Sequence, residues 1–314
     1  LLIVSTLFCL FAPDIYSFVT LRLIQGIAGA GGIVISRSVA IDKFSGKELA
    51  KMLAVIGAIN GVAPVAAPVI GGLLTGSVGW QGIFMILLFI GILLGIGCIR
   101  FKESLPAEKR SKTGVWATFR SFGIIVHNRR YMLYVFQLAF AQGILFAYIA
   151  SSPFIIQQHY GFSPFAFSIC FAVNAVAIGV AAALSVKFRR TENGTLTGCV
   201  GMLVFAVLQM AALYSGCGFW TYELLMFALL FMMGLTFTAS TTLAMDCERR
   251  YAGAASALLG ALCFASGGIV SPLVGLGDIL ISTGVTFVIC AVCSLLCALW
   301  AVKRTGPKVA LCRI

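Results

Sequence analysis

Few residues in this chain could do chemistry, and they are scattered through long apolar runs. Cys290, Cys293 and Cys297 have a spacing that could begin a metal site, but they lie on an unbroken apolar stretch with no His or acid beside them. A thiol in such surroundings behaves as a small hydrophobe, so packing is the reading adopted, and neither a metal nor a cofactor is expected. His127 and His159 fall in separate polar breaks, without a His-x-x-Glu or Gly-x-Ser-x-Gly context. Catalysis lacks its residues, and an integral-membrane enzyme is only the remote alternative. What remains is a handful of polar side chains inside apolar runs: Arg22, Gln25, Asn60, Gln137, Gln142, Tyr148, Asn174, Gln209 and Glu223. Such groups, isolated in hydrocarbon, bind ions, hold the polar part of a ligand or tie helices together.

The elements that must position them are set by composition. Apolar residues make up 61% of the 314, glycines number 34, and only 10% of residues are charged, against about 45–50% and about 25% in a soluble domain. No soluble fold of this length has interior enough to hide such a chain, so lipid is its solvent. That excludes a soluble enzyme, a nucleic-acid-binding domain and a secreted disulfide scaffold. Apolar runs between polar breaks give ten segments, at 1–12, 17–41, 52–75, 81–100, 131–152, 164–186, 196–216, 219–245, 252–275 and 281–302. Helix is the state that lets lipid-exposed backbone satisfy its own hydrogen bonds. The fold class is therefore all-α and integral to the membrane, with about ten spans.

The net charge of +12 forms no single patch. Every one of the 22 Lys and Arg residues except Arg22 and Arg37 falls in alternate loops or the tail: 43–51, 100–130, 187–190, 249–250 and 303–313. The bias of positive charge toward the cytoplasm places those loops and the C-terminus inside, in a multi-pass cell-membrane protein. Within the long fourth loop, Val115, Trp116, Phe119, Phe122 and Val126 recur at three to four residues, predicting a short helix on the inner surface; a disordered basic linker is the alternative. Leu1 opens inside an apolar run too short for a bilayer core of about 30 Å. The chain is read as an N-terminally truncated fragment, expected to be inert alone.

The third segment contains GAINGVAPVAAPVIGG and the ninth GALCFASGGIVSPLVG, with Pro68 matching Pro272 and Gly71 matching Gly275 at one offset of 204. Matched segments six apart point to two six-helix halves, a parallel internal repeat. Gly57, Gly61, Pro64, Pro68 and Gly71 recur at about 3.5 residues on one helical stripe, with Gly72 next in the chain. Small residues there allow close helix approach, and the prolines remove backbone donors; a static seam and a moving hinge both fit. Arg22 stands alone among the basic residues in the outer half of a span, with Gln25 a turn away on its face. It either snorkels to the surface or faces the bundle interior, the reading preferred here. Arg37, nearer a span end, reads as snorkelling. Glu223, near the start of its span, reads as interfacial.

With these motifs read, the chain resembles the major facilitator superfamily, and within it the drug/proton antiporters of the Bcr/CflA (bicyclomycin and chloramphenicol resistance) group. LRLIQGIAGAGG is similar to the family's fourth-helix motif, which carries over to Arg22, Gln25 and Gly26. GVAPVAAPVIGG is similar to the fifth-helix antiporter motif, with Ala67 where many members have Gly. GWQGIF, YIASSPF, FAVNA and GAASALLGA are similar to patterns of the same group. The resemblance implies that 1–100 is the C-terminal part of the N-terminal half, holding family spans three to six. It makes 101–130 the central cytoplasmic loop, 131–302 the C-terminal six-helix half and 303–314 a cytoplasmic tail. It implies proton-driven export of amphipathic drug-like compounds by a monomer, with Asn60, Gln137, Tyr148 and Asn174 lining the substrate pathway. Phe231, Met232 and Met233 would suit a greasy pocket. An uptake symporter of the same fold is the alternative.

Overall fold

The computed structural model describes residues 1–44, 46–100, 122–185, 187–248 and 251–303; between 33 and 77 side chains are described only at scattered positions. Among the described residues every regular element is a helix. They form α1 (Leu2–Cys9), α2 (Ile15–Lys43), α3 (Gly46–Arg100), α4 (Arg129–Pro153), α5 (Pro164–Ser185), α6 (Thr191–Tyr214), α7 (Phe219–Cys247), α8 (Ala252–Leu273) and α9 (Ile279–Lys303). Seven helices among them are long and apolar enough to cross a membrane: Val78–Arg100, Arg129–His159 and the five from Pro164 onward. The chain separates into two compact units, Leu1–Lys112 and Thr113–Ile314.

In the first unit α1 packs on α2 and α3. Ile3 fills the notch left by Gly91 and Gly95, where added Cβ atoms would come within 3.5 and 3.0 Å of it. A helix without side chains at i and i+4 lets a neighbour approach this closely. Asp14 caps α2, its carboxylate accepting from the Ser17 N–H at 2.7 Å and from the Ser17 hydroxyl at 3.0 Å. Those bonds hold its carboxyl below the usual range. The polar break expected at 76–80 is not a loop. The backbone leaves α3 at one residue, Gly79, with φ 64° and ψ −175°, a conformation that in practice only glycine adopts.

The second unit inverts the soluble pattern. Asn174, Gln137, Gln209, Ser151, Thr195, Ser240 and Ser294 are fully buried, whereas Val200, Val204 and Val207 on α6 form an exposed stripe. Hydrocarbon outside and hydrogen-bonding groups inside is the arrangement a bilayer favours. α7 packs on α5 and α6, and α4 on α8 and α9. Backbones touch where glycine permits: a Cβ on Gly234 would lie 2.5 Å from the Ile178 carbonyl oxygen, and one on Gly198 would lie 2.8 Å from that of Met232. At the start of α4, Asn128 Oδ1 accepts from the Arg130 and Tyr131 N–H groups. Its Nδ2 donates to Glu248 Oε1 at 2.6 Å and to the Cys247 carbonyl. One side chain thus caps α4 and ties it to the end of α7.

Segment ends moved outward from expectation. α4 does not stop near 152: it continues through Pro153 into a π turn over Phe154–His159. Of the inner-surface helix expected in the long loop, Val115, Trp116 and Phe119 lie outside the described residues. Residues 122–127 are helical, and fully buried Ile125, not Val126 at 47% exposure, joins the core.

Candidate functional site

Polar side chains collect into separate knots. In the first unit Arg22 Nη1 donates to Gln25 Oε1 at 2.5 Å, and Gln25 Nε2 donates to Thr6 Oγ1 at 2.6 Å. Thr6 in turn donates to the Leu2 carbonyl at 2.7 Å. The guanidinium also stands 5.5 Å from the Phe84 ring centroid, within a cluster of Phe18, Trp80 and Phe84. A cation held by an amide and a ring face loses part of its desolvation cost. Gln25 is buried, while Arg22 and Gly26 are exposed within their own unit.

The backbone of α3 stays helical through the glycine and proline stripe. The side chains of Asn60, Pro64 and Pro68, with Gly57 and Gly61, lie outside the described residues, as does Arg37. Gly71 and Gly72 are half-buried, and a Cβ on Gly71 would meet nothing within 4 Å.

In the second unit Gln137 and the Tyr148–Asn174 pair belong to different knots. Gln137 Nε2 donates to Ser294 Oγ at 3.1 Å and to Cys199 Sγ at 3.4 Å, and Ser294 Oγ donates back to the Gln137 carbonyl at 3.2 Å. This links α4, α6 and α9. Neutral, mutual and fully buried, it does what a helix clamp does.

The other knot joins α4, α5 and α7. Asn174 Nδ2 donates both of its hydrogens, one to Tyr148 Oη at 3.0 Å and one to Glu223 Oε1 at 2.8 Å. Tyr148 stacks on Phe171 with centroids 5.5 Å apart. Asn174 Oδ1 and Glu223 Oε2 are both buried and without a hydrogen-bond partner. The interfacial reading of Glu223 is thereby corrected. Counting residues from the start of α7 puts Glu223 near a membrane surface, but its carboxyl turns inward to Asn174, which sits halfway along α5. The signal that could have found it is plain afterwards: Glu223 is the acid set furthest inside an apolar run.

One turn from Glu223 along α7, Phe227 and then Phe231 form one wall of a groove of about 340 Å³, facing Val173, Val176 and Val180 of α5. Of the three residues expected to suit a greasy pocket, only Phe231 lines it. Met233 is core at 1% exposure, and Met232 fills the space over Gly198 and Gly201. Cys290 Sγ packs against Gly143, and no cluster of three or more metal-ligating side chains occurs among the described residues.

Comparison with known proteins agrees with this architecture. The family described as Major Facilitator Superfamily matches residues 1–272. A Bacillus subtilis (strain 168) protein described as an uncharacterized MFS-type transporter, YdgK, is 37% identical over 281 residues, covering 87% of this chain and 70% of that protein. A bicyclomycin resistance protein homolog of Haemophilus influenzae is 29% identical over 289 residues, with the same coverage. Among solved structures, a bacterial homolog of the human lysosomal transporter Spinster, inward-facing and unoccupied, superposes with a TM-score of 0.71 at 18% identity, over 96% of this chain and 81% of that one. A D-xylose-proton symporter gives 0.65 at 15% identity, over 96% and 78%. At such identities the structures speak for the fold alone. The family match and the Bacillus relative carry the rest: this chain is a multi-span membrane protein of the transporter kind, not an enzyme, and belongs to the Major Facilitator Superfamily.

Proposed function

We propose that this transporter exports amphipathic, drug-like compounds across the plasma membrane, driven by proton entry, as a monomer with its C-terminus in the cytoplasm. The observation that carries the reading is the pairing on α5 and α7 of an apolar groove with a polar, acid-bearing knot one turn away. A compound with a greasy body and a polar head would match both. The printed names of relatives support it: besides the bicyclomycin resistance homolog, a multidrug resistance protein MdtL of Citrobacter koseri is 25% identical over 187 residues. Residues 1–100 and 131–302 then belong to the two halves, with 101–130 linking them and 303–314 a tail. Arg22, Gln25 and Gly26 gate the first half, and Gly57, Gly61, Pro64, Pro68, Gly71 and Gly72 form its rocking seam. Asn60, Gln137, Tyr148 and Asn174 serve the substrate pathway.

The test is efflux of a fluorescent amphipathic cation from energised cells. It compares residues 1–314 with the same residues carrying a family-like N-terminal extension. The extended protein should export the dye, and a protonophore should stop it. Net uptake driven by the same gradient would instead favour the symporter alternative. Orientation is checked separately. Reporters fused after Lys47, Lys112, Arg190 and Arg304 should report cytoplasm, and those near Tyr16, Gly79, Gln158, Gly218 and Gly277 the outside. A consistent inversion overturns the orientation.

A further inference from the structure

The buried knot on α4, α5 and α7 has a hydrogen-bond inventory that does not close. Asn174 spends both amide hydrogens on Tyr148 Oη and Glu223 Oε1, leaving its own Oδ1 bare, while Glu223 Oε2 is buried with no donor. The titratable groups facing the carboxyl are Tyr148 from α4, Cys170 from α5 and, beside it on α7, Tyr222, with the Tyr160 ring tilted against that of Tyr222 beyond. α6 and α8 contribute none among the described residues. All four are neutral acids. No Lys, Arg or His among the described residues pairs with Glu223, so nothing there neutralises a carboxylate except a proton.

We infer that Glu223, Asn174 and Tyr148 form a reversible proton-binding site inside the C-terminal unit, in which the Asn174 amide serves both protonation states. The inference rests on the proton-coupled reading above. An amide presents two donors at one end and an acceptor at the other, in nearly the same shape. With the carboxylate ionised, Nδ2 donates to Glu223 and to Tyr148, as the bonds now run. With a proton on the carboxyl, the amide turns over. Oδ1 then accepts from the carboxyl O–H and from the Tyr148 O–H, whose hydrogen is no longer held away from it. Each state makes two bonds between the amide and the same two partners, through Nδ2 in one and Oδ1 in the other. On release the carboxyl O–H bond breaks, the proton passes to water and the carboxylate keeps the negative charge. A carboxylate able to exist in both forms at this depth is what a membrane proton carrier requires. Asn174 is the positioning residue, and Glu223 takes the proton.

The site can be read without transport. Purified residues 1–314 in lipid nanodiscs, titrated from acid to alkaline pH under infrared difference spectroscopy, should show the carbonyl band of a protonated carboxyl that disappears as pH rises. Glu223→Gln should remove that band, and Glu223→Asp should retain a shifted one. Asn174→Leu should move it toward the frequency of a carboxyl with no hydrogen bond. Circular dichroism on each variant confirms that the helices remain. No titrating band in the unsubstituted chain, or one that survives Glu223→Gln, overturns the inference. The two failures separate cleanly. No titrating Glu223 band, with protonophore-sensitive efflux undiminished in Glu223→Gln, sinks the site and leaves coupled export standing. A Glu223 band with efflux indifferent to protonophores supports the site and sinks the coupling.

Discussion

Replacing Gly234 with leucine should force α5 and α7 apart and destabilise the C-terminal unit by about 3 kcal/mol or more, at the upper end of overpacking effects. The atoms that a Cβ at 234 would strike include backbone: the Ile178 carbonyl oxygen at 2.5 Å and Ile178 Cα at 3.0 Å, with Ala181 Cβ at 2.8 Å. No rotamer change relieves such a clash, so a whole helix must move. Gly234→Ala should already cost about 1–3 kcal/mol. Gly179→Ala is the control. It lies on α5 one residue past Ile178, yet its Cβ would meet nothing within 4 Å. There the substitution should be neutral, or stabilise by up to about 1 kcal/mol through helix propensity. Thermal unfolding in detergent decides: similar midpoints for Gly234→Leu and Gly179→Ala would mean that the contact is not a constraint. Because α5 and α7 also carry Asn174 and Glu223, the leucine variant should lose their hydrogen bond too.

Arg22→Ala should lower drug export by about ten-fold or more while the protein still inserts. Hydrogen bonds to a charged group contribute about 1.5–3 kcal/mol each when both partners are in place, and here the loss is shared by a chain. Removing the guanidinium frees Gln25 Oε1 in a buried position and lets the Gln25–Thr6 bond between α2 and α1 slacken. It also takes the cation off the Phe84 face. Arg22→Lys should recover little, because an ammonium cannot bond Gln25 with a planar fork while stacking on a ring. Unchanged export in the alanine variant, at equal membrane abundance, would return Arg22 to the role of a snorkelling surface charge.

These two sites differ in how far they could be read from sequence. Arg22 announces itself, since a lone charge in an apolar run is costly; Gln25 follows from helical spacing. Its partner Thr6 does not, because which face of α1 meets α2 depends on how both helices rotate. The same limit separated Gln137 from Tyr148 and Asn174, which look alike along the chain but point into different knots. Spans were legible because lipid forces backbone into helices. Their joints were less so: the polar stretch at 76–80 reads as a loop, while a single glycine accomplishes the turn. Position along α7 does not reveal the burial of Glu223, because that depends on which face of α5 meets its carboxyl. For 57–68 the spacing remains the only guide.

The order in which the first unit's contacts become available follows from where their residues lie. Gln25 is only 19 positions beyond Thr6, so the tie between α1 and α2 can form soon after both leave the ribosome. The notch that receives Ile3 is made of Gly91 and Gly95, and these arrive about seventy residues after Gln25. At about 5–20 residues per second, α1 waits roughly 4 to 14 seconds with one polar tether and an unfilled apolar flank. During that interval Ile3 has no glycine notch to enter. A chain stalled before Gly95 would thus be released with α1 half-docked on α2, and that is the nascent species a membrane quality-control protease would meet.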